Sequence, residues 1–161
     1  MNMGIFVRIF FASIALIYGD AFASNSAITF SPTATTRATL SINGHSVTFD
    51  VVAPKTEGHH GNIDIDTENP IHLVVDNYGF DDRKGFSIWS IDEGMGIYTI
   101  HRIFLYSETL ATFVEVHPAC GNQFINLEVD KKRRRFISTY YENNVPKPCI
   151  TRLPKVDDIA R

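Results

Sequence analysis

From residue 37 onward the chain alternates apolar and polar positions with a period of two. The stretch "RATLSINGHSVTFDV" carries two such runs around Asn43-Gly44, and Asn-Gly supplies the positive backbone angles that a two-residue hairpin turn requires. Pairing about that dipeptide sets Ile42 opposite His45, Leu40 opposite Val47 and Ala38 opposite Phe49, which collects the apolar side chains on one face. After a predicted loop over "APKTEGHHGN", strand-like runs follow at 63–66, 71–76, 86–91, 98–106, 112–116, 124–129, 135–141 and 149–153. They are rich in β-branched and aromatic residues, they end on Gly, Asp, Asn or Pro, and no long segment keeps a 3.6-residue apolar period. The expectation is an all-β fold of antiparallel meanders, built as propeller-like blades or as a compact β-sandwich or barrel, which periodicity does not separate.

The opening "MNMGIFVRIFFASIALIYGDAFA" breaks the pattern. Arg8 precedes an apolar run from Ile9 to Tyr18, and Ala21 and Ala23 follow it. Residues 1–23 therefore read as a secretory signal peptide, with a run too short for a spanning helix. The expected organisation is that signal peptide, a loosely ordered lead-in over 24–36 with a brief strand-like "AITF", and a single β domain over 37–161. The mature form is expected to be periplasmic or secreted and to carry no membrane anchor. A net charge of −3 argues against nucleic acid as a partner. Cys120 and Cys149 are the only cysteines, and in an exported protein such a pair is expected to form a disulfide.

Enzyme motifs are not apparent: the chain has no nucleophile elbow, helical zinc pair, phosphate-cradling glycine loop or paired-cysteine metal motif. His59 and His60 are adjacent and read as part of a solvated loop. Three stretches stand out instead. In "NYGFDDRKGF", Asp81, Asp82 and Asn77, with Asp76 just before, resemble calcium donors, but Arg83 and Lys84 sit among them. Since ligand number sets calcium affinity, a degenerate loop held by turn hydrogen bonds is the expectation, and no cofactor is called for; calcium is the alternative. The run "KKRRR" at 131–135 reads as a solvated turn between strands that also offers a positive patch, with Lys131, Arg133 and Arg134 as candidate contacts. Finally, Gly94 and Gly96 around Met95 permit a tight loop between aromatic strands. An apolar tip of that kind favours partner contact, which makes Asp92, Glu93, Gly94, Met95, Gly96 and Tyr98 candidates.

Three passages, "YGFDDRKGFSIW", "DEGMGIYTIHRIFLY" and "FINLEVDKKRRRFISTYY", resemble the periplasmic immunity proteins encoded beside lysozyme-like effectors of xanthomonad type IV secretion systems. That family shows an acidic loop before a strand, then "DEGMG-x-Y" leading to "R-[IV]-F-x-Y", then "F-I-N-L", a basic turn and "I-S-T-Y". The resemblance spans about 71–153 and implies a periplasmic protein of propeller-like β meanders that binds and blocks a peptidoglycan-hydrolase effector. Two readings of other classes stand beside it: a calcium-stabilised adhesion or scaffold module, and a hydrolase whose carboxylates converge only in three dimensions.

Overall fold

Eleven strands, all antiparallel, make two sheets in the computed structural model, which describes residues 27–54, 57–92, 94 and 98–154. The predicted signal peptide and its cut site lie outside the described residues. The smaller sheet has the order β1 (Ile28–Phe30), β2 (Arg37–Asn43), β3 (Ser46–Val52), β4 (His59–Asp64). The larger contains β5 (His72–Asp76), β6 (Gly85–Ile91), β7 (Thr99–Ser107), β8 (Thr112–Val116), β9 (Phe124–Asp130), β10 (Arg135–Glu142) and β11 (Val145–Thr151). Its order is β11-β10-β9-β7-β6-β5, with β8 also paired to β7, and it curls into a half-barrel. The all-β antiparallel expectation holds.

Two cores explain why β6 is buried along nearly its whole length and β7 from Ile103 onward. Side chains alternate across a strand, so Phe86, Ile88, Phe104 and Tyr106 face the smaller sheet and pack with Leu40, Val47, Phe49 and Phe113. From the opposite face of β7, Ile103 and Leu105 meet Tyr78, Val116, Phe124 and Phe136 inside the curl. A strand covered on both faces reads as a near-continuous apolar run, as "FSIW" and "RIFLY" do. Gly85 lets β6 and β7 approach at this point, because a Cβ there would lie 2.3 Å from the Phe104 carbonyl oxygen.

The curl has a local cause in β9. Between the pairs Ile137↔Glu128 and Thr139↔Ile125 the register shifts by one extra residue on β9. Asn126 within that bulge has φ 49°, and its side-chain oxygen accepts from the Thr99 N–H at 3.0 Å. A bulge of this type bends its strand and sharpens the twist. Here it stands beside the residues of β9, Phe124 and Ile125, that pair with the first half of β7 on the edge away from β10, while β8 takes the second half.

Four expectations need correcting. The first hairpin pairs Asn43↔Ser46, Leu40↔Phe49 and Ala38↔Val51, so the turn is Gly44-His45, with only Gly44 at positive φ (60°). This shifts each partner by two residues and leaves every side chain on its predicted face, which is why the apolar pattern alone accepted either register. In the lead-in the strand-like "AITF" is found as β1, which pairs Ile28↔Leu40 and Phe30↔Ala38, and it is the loose order expected for 31–36 that needs correcting. Pro32 is buried, its carbonyl accepts from the Lys84 N–H at 2.9 Å, and the Thr36 hydroxyl reaches Tyr106 Oη at 3.4 Å. The loop read over 53–62 ends early, since His59 and His60 already pair with Val51 and Asp50. The cause is Phe49, whose ring lies over Gly61 where a Cβ would come within 2.1 Å of Cζ. Finally, β11 starts at Val145, four residues before the predicted run, through a two-residue turn at Asn143-Asn144 with φ 52° and 62°, the pattern of a type I′ hairpin.

Candidate functional site

The β6–β7 hairpin ends in a clamped base. Ile91 pairs with Thr99, and the Asp92 N–H donates to the Tyr98 carbonyl at 2.8 Å. The Asp92 carboxylate accepts from the Gly94 N–H at 3.2 Å. Glu93, Met95 and Gly96, the rest of the predicted contact loop, lie outside the described residues. Beside this base, Tyr98 and Tyr141 meet edge-on at 5.6 Å between ring centroids. Tyr141 is 40% exposed and Ile91 43%. A hydrogen bond with Tyr98 is the main reason the Tyr141 phenol is pushed above its ordinary pKa. The hairpin end thus presents the Tyr141 ring, supported by half-buried Tyr98, and the Ile91 side chain to solvent on a backbone held at Asp92 and Tyr98.

A cleft of about 480 Å³ opens next to that base, walled by the end of β4, by β6 and β7, and by the β8–β9 connection. Arg102 organises it. Its Nε and Nη2 meet the two carboxylate oxygens of Glu115 at 2.7 and 2.6 Å, and Nη1 donates to the Asp64 carbonyl at 2.9 Å. One guanidinium thereby stitches β7 to β8 and to the end of the smaller sheet, and bidentate pairing of this kind fixes geometry as well as charge. Both oxygens of Glu115 are committed to that pair. His72, Trp89 and His101 form a row across β5, β6 and β7, with ring centroids 4.0 Å and 6.0 Å apart. Burial holds the His101 imidazole neutral down to about pH 4, and its Nε2 lies 3.1 Å from Thr99 Oγ1.

The sign of the His101 effect follows from its ordinary pKa of 6.5. Below that pH the unfolded chain takes up a proton which the folded chain refuses until about pH 4. Stability is therefore expected to fall as pH drops from about 6.5 to 4, and His101→Gln should flatten that slope. Urea midpoints across this window, for both proteins, are the check; parallel slopes would count against a neutral buried imidazole.

At the other end of β6 the acidic loop and the basic turn meet each other. Lys131 Nζ lies 2.7 Å from Asp76 Oδ2. Burial alone would push the Asp76 carboxyl up, but hydrogen bonds from Lys131 and the Asn77 N–H outweigh it and hold the carboxyl below its ordinary pKa. Asn77 binds both the N–H and the carbonyl of Asp81. Asp81 Oδ2 in turn accepts from Arg83 Nε at 2.8 Å and Nη2 at 2.6 Å. Asp82 is exposed. The side-chain oxygens of Asp76, Asn77 and Asp81 are thus engaged by the protein's own cations and amides, which leaves Asp82 alone, too few donors for that ion; among the described residues no group of three His, Cys, Asp or Glu could hold a metal. In the turn itself, Arg133 and Arg135 both pair with Asp130, at 3.2 and 3.0 Å. Arg134 takes φ 50° and lines a small hollow with Phe80 and Leu153.

The predicted contact residues therefore fall into two groups, the Asp92–Tyr98 base and the Lys131–Arg134 turn. Six residue steps of β6 separate them, about 20 Å at 3.3 Å per residue. The sequence reading did not find the cleft. Its one signal was the charged pair Arg102 and Glu115 inside otherwise apolar strands of a predictable hairpin, and the wall from β4 depends on how two sheets stack, which no local pattern encodes. No known protein family, no curated protein and no solved structure matches this chain.

Proposed function

We propose that this is an exported, non-catalytic protein that binds and occludes a lysozyme-like, peptidoglycan-cleaving enzyme through the end of the β6–β7 hairpin. The observation that carries this reading is the exposed Tyr141 packed edge-on against half-buried Tyr98, with exposed Ile91 beside them at the clamped base of the Asp92–Tyr98 connection. Aromatic side chains on a rigid support give contact area at small entropic cost, and such anchors dominate binding energy in protein interfaces. The three resemblance passages support it as well, since the acidic "DEGMG" segment lies in this connection. A disulfide between Cys120 and Cys149 fits a protein that works in an oxidising compartment. The role of the Lys131–Arg134 turn in this reading is steering, because rim charges act chiefly on the association rate.

Turbidity of a peptidoglycan suspension separates the readings. Protection of the suspension from a lysozyme-like hydrolase supports the inhibitor. Clearing by the purified protein alone would instead make it a hydrolase. Met95→Ala and Tyr141→Ala are each expected to raise the inhibition constant about 30-fold, the equivalent of about 2 kcal/mol for a buried anchor. Arg133→Glu with Arg134→Glu should slow association and leave dissociation unchanged. If both anchor variants inhibit like the parent, the contact surface lies elsewhere.

A further inference from the structure

In an antiparallel sheet with one face in water, the outward positions are normally polar. The smaller sheet keeps that rule, since Thr39, Ser41, Thr48, Asp50, His60 and Asn62 face outward in register. The last hairpin of the larger sheet breaks it. Phe136, Ser138 and Cys149 are buried on the inner face of β10 and β11, so the outward cross-strand pairs are Tyr141↔Pro146, Thr139↔Pro148 and Ile137↔Ile150. Thr139 alone among them is polar. The hairpin closes at Glu142↔Val145 around a two-residue turn, which makes these the non-hydrogen-bonded pairs, whose side chains stand closest. Pro146, Pro148 and Ile150 are exposed. Glu128 of β9 pairs with Ile137 and so shares this face, and its carboxylate has no hydrogen-bond or ion-pair partner among the described residues. Glu128, Ile137, Pro146 and Pro148 border a hollow of about 370 Å³.

Resting on the inhibitor reading above, which supplies the occupant, we propose that the surface covered by the hydrolase continues from Tyr141 over this outer face: Pro146, Pro148 and Ile150 seat an apolar segment of that enzyme, and Glu128 pairs with a Lys or Arg of the same segment. Tyr141 belongs to both surfaces, because it meets Tyr98 at the hairpin end and stands opposite Pro146 on β11. The area required points the same way. A stable complex buries about 800 Å² on each partner, roughly 20–30 residues, which Tyr98, Tyr141 and Ile91 do not supply alone. Proline rings lose no rotamer freedom on burial, so they add contact at small entropic cost, as the supported Tyr141 ring does. The prolines also decide how the partner sits. In these pairs the missing donors lie on the open edge of β11, so an incoming segment lies across the face and does not add as a further strand. The lone carboxylate sets the charge of what it meets, since an apolar side chain seated there would leave it desolvated and unpaired.

Inhibition of a lysozyme-like hydrolase by the disulfide-bonded parent and its variants, measured over a range of salt concentrations, tests this. Ile150→Lys and Glu128→Gln are each expected to raise the inhibition constant about tenfold. Glu128→Gln should also flatten the dependence of that constant on salt, a change that local damage to β9 would not give. Val52→Lys, at an exposed apolar position of the smaller sheet, should inhibit like the parent. Circular dichroism confirms that each variant is folded. If the parent inhibits and either Ile150→Lys or Glu128→Gln inhibits equally well, the proposal is overturned while the inhibitor reading stands on the hairpin end. A parent that does not inhibit overturns that reading, and this extension with it.

Discussion

Phe86→Ala is expected to destabilise the protein by about 3–5 kcal/mol, the range for removing a large aromatic side chain from a packed core. Phe86 is fully buried and stands where three strands of two sheets converge. Its ring stacks on Phe104 of β7 at 4.8 Å and 12°, meets Phe113 of β8 edge-on at 4.9 Å, and approaches Phe49 of the smaller sheet at 6.3 Å. Phe113 in turn touches Phe30, Phe49 and Tyr106, so an empty site at 86 would leave a void whose walls belong to both sheets. The backbone beside it offers little relief, because Gly85 is already in close approach to Phe104. Typical domains have about 5–15 kcal/mol in total, so the variant should sit near the edge of stability at 25 °C and lose near-ultraviolet dichroism at low urea. A urea-derived loss below about 1 kcal/mol would mean that these rings do not form the centre of the sandwich.

What the sequence disclosed, and what it hid, follows from the range of each interaction. Strand positions came from local period and composition, so β6 to β10 were legible within a residue or two. The Asn43-Gly44 turn was misplaced because moving the partner by two residues preserves the faces; what distinguishes the registers is that Gly44 takes a positive φ and Asn43 does not. The start of β11 was missed because Pro146 and Pro148 read as breakers, although on an edge strand they cost no ladder bond. Ser and Thr made the lead-in after "AITF" look loose, yet the Pro32 carbonyl ties it to Lys84 and the Thr36 hydroxyl reaches Tyr106. Both charged stretches were visible as compositions. That Lys131 would pair with Asp76, 55 residues away, was not, since it depends on the curl imposed by the bulge at Asn126. The cleft beside the β6–β7 base was the least legible feature, because its walls come from four separate parts of the chain.

Breaking the Cys120–Cys149 bridge is expected to cost about 3–4 kcal/mol, the loop-entropy value for a closed segment of about 30 residues; the two cysteines are 29 apart. Its position adds to the effect. Cys120 belongs to the β8–β9 connection and Cys149 is fully buried on β11, so the bond holds the last strand of the sheet to a segment that also forms one wall of the cleft. The Ala119 N–H donates to Thr151 Oγ1 at 2.9 Å, a single neutral hydrogen bond worth about 1 kcal/mol, which by itself would not replace the constraint. Reduction should therefore lower the urea midpoint and raise the slope of the transition, because the unfolded chain expands and exposes more surface when the loop opens. The double variant Cys120→Ala, Cys149→Ala should behave like the reduced protein in both respects. Tyr98 precedes β7 outside the closed loop and Tyr141 lies on β10 within it, but β10 stays paired to β9 without the bond, so reduced protein that remains folded at low urea should keep their edge-on contact, and the inhibition constant should change less than the stability. Equal midpoints with and without reductant would show that β10 and the core inside the curl hold β11 without the bond.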